Sequence, residues 1–514
     1  MKPISCYKEK LFYNNMNKPV NTSFRPLLSL SWQSVAYGIG IFGSQIVMFF
    51  TLPLFTHYMS QDEYGAVSVI TVLYTFLNSF TNAGLPSGTF RLYHDDQDVF
   101  AQRLILSASQ FLFFLFSVIP ATFIFVFPKL ISQIMLGTEV FAPALQITAI
   151  YLIVDTMNTF GDIILRVQIR PMASSIQSIL RITLQTGTAV LLVRVYNMGI
   201  MGYWLGYLIG ASLGLILMIW LVRKELVFQI SWQKTIELLK YGVPLIPNTL
   251  SITALRLADR YLIGTMLGLD QAAVYDIGYK IGSLLNMVVA PFRVAWPAFS
   301  FSVMHNPKAP KIYRDALTFL TAGCSVVVLS VVAFRMELVN FLAPKSYLGA
   351  TSVIGWVAAA QIFLAIYPII AIGPKVMKKT RYLAWASVFS AVLNIILNFL
   401  LIPSIGILGA AIATFFSYLS LIIFTYFIGQ RLFFLPIDWV RLGKLLLASI
   451  VVSLIIVGAE SFSLGVWLER LIKITGILLF PILLLVFGFI TFGQSKNFLN
   501  LIAGVLNKKN KARQ

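Results

Sequence analysis

Residues 253–296 read TALRLADRYLIGTMLGLDQAAVYDIGYKIGSLLNMVVAPFRVAW, two apolar segments joined by a tight Gly/Asp turn and carrying Arg256, Asp259, Arg260, Asp276, Lys280 and Arg293. Extended to 244–268 and 272–296, the two segments are long enough to cross a bilayer. An ionisable group at bilayer depth costs about 2.5–3.5 kcal/mol even on lenient insertion scales, so six in one hairpin need a polar interior to face. The hairpin predicts a membrane bundle around a wet, net cationic cavity.

Composition agrees. Of 514 residues 58% are hydrophobic and 11% charged, against roughly 45–50% and about 25% in soluble domains. The formal charge of +20 does not indicate nucleic-acid binding, because Lys and Arg punctuate apolar runs instead of lining one soluble face. Cys6 lies in a polar tail and Cys324 in an apolar run, so neither a disulfide framework nor a metal cluster is expected.

Fourteen stretches are long enough to span, near 31–55, 66–85, 104–126, 141–165, 172–195, 199–222, 244–268, 272–296, 316–335, 350–373, 382–402, 406–428, 443–460 and 470–492. The first is too long for a signal h-region and lacks a small-residue cleavage site, so it is expected to remain uncleaved. With the N-terminus in the cytoplasm, most of the 39 Lys and Arg fall inside, including KKTR at 378–381 and the KKNKAR tail at 508–513. Outside loops collect only Lys129, Arg194, Arg335, Lys345, Arg470 and Lys473. That asymmetry predicts cytoplasmic N- and C-termini. The outside loops are short, leaving no room for a catalytic domain, and no enzyme activity, catalytic residue or cofactor is expected.

GIMG at 199–202, opening the sixth stretch, recurs as GILG at 406–409, opening the twelfth, while Asp62 and Leu77-Asn78 align with Asp270 and Leu285-Asn286. With six helices between copies, two lobes of the same orientation are expected, related by an axis along the membrane normal, as in alternating-access transporters. The expected fold is an all-α polytopic membrane protein. Its parts are a tail at 1–30, six-helix lobes at 31–225 and 226–430 around a central cavity, two further helices at 431–495, and a basic tail at 496–514.

Helical rise places Asp259, Arg260 and Lys280 in one layer of the outer half, Arg256 one turn below Arg260, and Arg293 near enough to the inner interface to snorkel. Asp276 and Lys280 form an i,i+4 pair, and Asp155 is level with Arg181, with Asp162 nearer the cytoplasm. Asp259 paired with Lys280 or Arg260, and Asp155 with Arg181, would make structural salt bridges. Four cations then face two carboxylates in the second lobe. An unpaired cation in low dielectric is costly unless water or an anion attends it, and phosphate suits Arg and Lys best. Arg256, Arg260, Lys280 and Arg293 are the candidate substrate-binding residues; Asp155, Asp162, Arg181, Asp259 and Asp276 are candidates for ion coupling or structural pairing.

Weaker features add little. His57, His94 and His305 sit at loops or helix ends without a second ligand. Pro244, Pro247, Pro291, Pro297, Pro368 and Pro374 can kink helices and open polar backbone. The DDQD run at 95–98 reads as solvated loop.

LPLFTHYMSQDEYGAVSVI at 52–70, LLKYGVPLIPNTLSITALRLADRYLIGTMLGLDQAAVYDIGYKI at 238–281 and GILGAAIAT at 406–414 resemble the polysaccharide exporters of the multidrug/oligosaccharidyl-lipid/polysaccharide superfamily. The resemblance implies two six-helix lobes enclosing a cavity. It also implies a flippase for undecaprenyl-pyrophosphate-linked oligosaccharide, an O-antigen, capsule or exopolysaccharide unit, in the bacterial inner membrane. Implied partners are the lipid-linked substrate, membrane lipids, H+ or Na+ as coupling ion, and glycan polymerase proteins. Lipid II flippases and multidrug extruders of the same superfamily fit less well: stretch 31–55 lacks both the cavity arginines of the former and the acidic residue of the latter. A glycan polymerase or ligase would need a larger outside loop.

Overall fold

A computed structural model describes residues 24–82, 84–96, 98–225, 229–304, 306–377, 379–461 and 465–489. Cys6, His305 and the basic tail from 496 onward lie outside the described residues. Within them the chain is helical throughout, without a strand. The first part comprises α1 (Phe24–Tyr58), α2 (Gln61–Asn82), α3 (Leu85–Asp95), α4 (Val99–Val126), α5 (Pro128–Leu136), α6 (Ala142–Val167), α7 (Pro171–Arg194) and α8 (Gly199–Val222). Then follow α9 (Trp232–Gly242), α10 (Ile246–Met266), α11 (Leu269–Gly282), α12 (Leu285–Val303), α13 (Ala309–Ala333), α14 (Arg335–Leu342), α15 (Thr351–Ile370), α16 (Ile372–Val376), α17 (Arg381–Ile405) and α18 (Ile407–Leu432). The chain closes with α19 (Trp439–Ser461) and α20 (Val466–Val486).

A helix occupies the described part of every predicted span. Among the described residues ten helices are long and apolar enough to cross a membrane, eleven if the bent pair α11 and α12 counts as one span. Three predicted spans lie outside that set, α1, α10 and α20, and the last two are charged: α10 carries Arg256, Asp259 and Arg260 within 21 residues, and α20 carries Glu469, Arg470 and Lys473 in its first turns. Hydropathy falls where charge concentrates, although the helix persists because its polar face is covered by protein.

The C-terminal helices α19 and α20 pack against α13. Small residues set the tightest helix contacts, as expected where lipid supplies no hydrophobic drive between helices. A Cβ on Gly206 of α8 would lie 2.2 Å from the Ala189 backbone of α7, and one on Gly210 2.3 Å from Gln185 N. The repeat leaves a backbone trace, for its aligned glycines Gly199 and Gly406 both take positive φ, 50° and 63°, at the heads of α8 and α18. Its aligned asparagines each open a chain of bonds. Asn78 donates to the Tyr74 hydroxyl, which donates to Asp155 of α6; Asn286 donates to Gln361 of α15.

The predicted single helix over 272–296 is instead broken. It bends by 53° between α11 and α12, at Ser283-Leu284 rather than at Pro291 or Pro297. Gln361 bridges the break, donating to Ser283 Oγ at 3.2 Å and accepting from Asn286 at 3.0 Å. The 95–98 run is likewise engaged and not merely solvated: Asp98 caps α4 by accepting from Phe100 N and Ala101 N, and Asp96 pairs with Lys234 at 3.3 Å.

Candidate functional site

The charged hairpin folds around Asp276. Its carboxylate accepts from Arg260 Nε at 2.6 Å and from Lys280 Nζ at 2.7 Å. Tyr64 of α2 joins it, its hydroxyl donating to Asp276 at 3.2 Å and accepting from Lys280 at 2.7 Å. One carboxylate thus holds two cations and a tyrosine from the other lobe. The lobes meet closely here because α2 offers Gly65, whose Cβ would stand 1.9 Å from the Leu269 carbonyl oxygen. Next to this contact Gln61 donates to the Ser346 carbonyl at 3.0 Å and Thr56 to the Leu342 carbonyl at 2.6 Å.

Asp259 does not pair with Arg260 or Lys280 as the sequence suggested. Its Oδ2 accepts from the hydroxyls of Tyr275 and Thr414, the latter at 3.0 Å, and it is fully buried. The reason is rotational. Arg260, one residue on, points about 100° around the helix, toward Asp276 and the Tyr279 ring, which its guanidinium overlies at 4.3 Å.

The cations without a carboxylate are therefore Arg256 and Arg293. Neither forms an ion pair among the described residues, whereas Arg260 and Lys280 do. Each lies ten residues from one helix end, about 15 Å above Ile246 for Arg256 and about 15 Å above Val303 for Arg293. Arg293 thus stands in the middle of α12. The Arg293 guanidinium is within electrostatic reach of Arg256, Tyr279 and Tyr418, and Arg256 of Tyr418, the two tyrosine hydroxyls meeting at 3.2 Å. Such a pair repels itself unless an anion or water attends it.

In the first lobe Asp155 and Arg181 form the expected ion pair, and the Tyr74 hydroxyl donates to the same carboxylate. Asp162 accepts from Ser174 and pairs with Arg166 at 2.8 Å. Ser44, Gln45, Arg166, Ser174 and Arg181 line a polar pocket of about 250 Å³. A much larger cavity, about 1550 Å³, opens between α13, α15, α18 and α19; its walls are apolar and contain none of the predicted site residues. His57 Nδ1 donates to the Pro53 carbonyl of its own helix, and His94 Nδ1 to the Phe90 carbonyl. The residues missed in the sequence are tyrosines, Tyr64, Tyr74, Tyr275, Tyr279 and Tyr418. Tyr275 and Tyr279 flank Asp276 at helical spacing and were legible in principle; Tyr64 and Tyr418 come from distant helices.

Helices long and apolar enough to cross a membrane, packed around an interhelical ion cluster, define a multi-span membrane protein. The match to the family model described as polysaccharide biosynthesis protein covers residues 31–303, over half of the chain, and the chain belongs to that family. A curated relative, the probable low-salt glycan biosynthesis flippase Agl15 of Haloferax volcanii, is 23% identical over 234 residues, 43% of this chain and 50% of the relative. The match thus spans half the length of that relative. Among solved structures, the lipid II flippase MurJ in an inward closed conformation superposes with a TM-score of 0.70 at 17% identity, covering 87% of this chain and 98% of that one. An inward-facing multidrug resistance MATE family transporter gives 0.62 at 14% identity, covering 75% and 94%. These last two likenesses concern the fold.

Proposed function

We propose that this protein flips a polyprenyl-pyrophosphate-linked oligosaccharide across the bacterial inner membrane by alternating access, with both termini cytoplasmic. The observation that carries this reading is the Arg256–Arg293 pair, two cations within electrostatic reach of each other, neither in an ion pair among the described residues. A pyrophosphate supplies the missing negative charge, and guanidinium forks suit its oxygens. Sugars would follow into the polar space between the lobes while the lipid tail stays in the bilayer. A polar path removes the cost of dragging hydroxyls and phosphate through hydrocarbon without any bond being made or broken. Undecaprenyl is the expected lipid, with an O-antigen, capsule or exopolysaccharide unit as cargo and glycan polymerase proteins as downstream partners. Arg260 and Lys280, engaged at Asp276, serve the lobe contact before they serve the substrate.

The test separates the two cation pairs. Purified protein is titrated with farnesyl pyrophosphate and with farnesyl monophosphate. Arg256→Ala and Arg293→Ala are expected to weaken pyrophosphate binding at least tenfold each, and surface glycan should fall in a null strain complemented with either. Unchanged binding and normal glycan in both variants would sink the reading.

A further inference from the structure

The polar pocket of about 250 Å³ between α1, α6 and α7 has no part in the pyrophosphate reading. On α7 its wall is Ser174, Ser178 and Arg181, spaced i, i+4 and i+7 and hence on one face of the helix; on α1 it is Gly40, Ser44 and Gln45. Arg166, near the end of α6, completes it. Counted from Pro171, the wall on α7 runs from about 4.5 Å to about 15 Å along a helix long and apolar enough to cross the membrane. Close packing of helices accounts for the small residues: a Cβ on Gly40 would lie 2.8 Å from Ser175 Oγ, and one on Gly43 2.9 Å from Ile179 Cδ1. It does not account for two arginines and a glutamine, which are costly at such depth unless the space before them is polar.

The wall is balanced in charge and mixed in hydrogen bonding. Arg181 pairs with Asp155, and Arg166 with Asp162 at 2.8 Å. Ser174 donates to Asp162 and Ser44 to the Gly40 carbonyl at 2.9 Å, so each hydroxyl oxygen can still accept. Two polar atoms of the wall residues have no hydrogen-bond partner, Gln45 Oε1, an acceptor, and Arg181 Nε, a donor. Native structures rarely leave such buried atoms unsatisfied, and here one of each kind borders the same space. An added anion would stand beside Asp155 and Asp162 and be repelled, whereas a neutral group that both donates and accepts suits every position. Adjacent sugar hydroxyls do both. The pocket has room for one sugar ring, well beyond what a single water needs, and the Arg166 and Arg181 side chains at its mouth are 45% and 25% exposed.

We infer that this pocket is a subsite for one neutral sugar residue, with Gln45 and Arg181 as its hydrogen-bonding pair and Ser44, Ser174 and Ser178 as further contacts to the ring hydroxyls. The ion pairs to Asp155 and Asp162 then have a second use: they hold the guanidiniums in place while cancelling the charge that would otherwise select an anion. α1, which forms one wall, also packs against α12, the helix of Arg293. A sugar held here therefore stands one helix away from the proposed pyrophosphate contact. That this sugar belongs to the transported cargo rests on the flippase reading; binding of a sugar by the pocket does not.

Protection of a thiol placed in the pocket tests this. Ser178 is half-buried; Ser178→Cys is made in the full chain with Cys6 and Cys324 replaced by Ser, and its reaction with a charged methanethiosulfonate reagent is timed in nanodiscs. The probes are the methyl glycosides of glucose, galactose, mannose and N-acetylglucosamine, with inorganic pyrophosphate as the anionic control. At least one glycoside is expected to slow labelling severalfold and saturably, and pyrophosphate to leave it unchanged. Gln45→Leu should remove the protection while the thiol still reacts. A thiol that never labels, no protection by any glycoside, protection by pyrophosphate, or full protection in Gln45→Leu would each overturn the subsite. Ser178→Trp, which fills the pocket, should lower surface glycan while farnesyl pyrophosphate still binds; normal glycan would overturn the pocket's part in transport. Arg256→Ala should keep the glycoside protection, so failure of the pyrophosphate reading and failure of the sugar subsite are read separately.

Discussion

Asp276 is the residue on which the hairpin's charges converge. It is buried, with 5% of its side chain exposed, and two cations and a tyrosine hydroxyl depend on it. Removing one partner of a buried pair is worse than never having built it, because the other charge is left uncompensated. Asp276→Asn should therefore destabilise the protein by about 3–5 kcal/mol, read as a lower melting temperature in detergent. Lys280→Ala should be milder, since that side chain is 43% exposed and water can take its place. Equal melting of Asp276→Asn and wild type would show that the cluster does not hold the lobes. The i,i+4 pairing of Asp276 with Lys280 was legible from spacing alone. The choice of Asp276 over Asp259 as the partner of Arg260 was not, because it depends on which way each side chain leaves two separate helices.

At the scale of elements, helices pack where glycines allow it. α8 presents Gly202, Gly206, Gly210 and Gly214 at four-residue intervals, so one face is nearly bare backbone, and α7 lies against it. Gly210→Val would drive a branched side chain into the Gln185 backbone. A cost of about 1–3 kcal/mol is expected from such overpacking, visible as aggregation in fluorescence-detected size-exclusion chromatography; Gly187→Ala, where a Cβ meets nothing within 4 Å, should be harmless. The C-terminal pair joins differently. Leu445, Ala448, Val452, Ile456, Phe480 and Leu484 bury against Leu329 and Ala333 of α13. At one end Lys473, fully buried, gathers Glu460 at 3.1 Å and Glu469 at 2.7 Å, while Arg335 also holds Glu460. Lys473 and Arg335 read as loop charges in the sequence because nothing local indicates which helix ends will meet.

For the whole molecule, one group of contacts between lobes gathers at the end opposite the Lys234–Asp96 pair. Tyr64 with Asp276 and Lys280, Gln61 with Ser346, and Thr56 with Leu342 all join the α1–α2 corner to the turn-rich segment before α15 and to α11. If the basic face is inner, these contacts close the outer face, and exposing a cargo outward requires breaking them together. A cysteine pair at Gln61 and Ser346, joined by a short bismaleimide, should abolish surface glycan while leaving the protein folded. The single-cysteine variants treated alike should remain active. Normal glycan after complete cross-linking would show that this end need not open.

Composition and pattern determined the membrane, the helices, the repeat and the residues that had to be covered. Each of these follows from local rules, namely the length of an apolar run, the cost of a charge in hydrocarbon and the spacing along a helix. Tertiary structure decided which charges meet. It gave Asp276 to Arg260 and Lys280, left Asp259 to hydroxyls, and bent the eighth span by 53° at Ser283-Leu284. Those outcomes depend on helix rotation and register between segments hundreds of residues apart, where a turn of about 100° per residue moves a side chain from one neighbour to another.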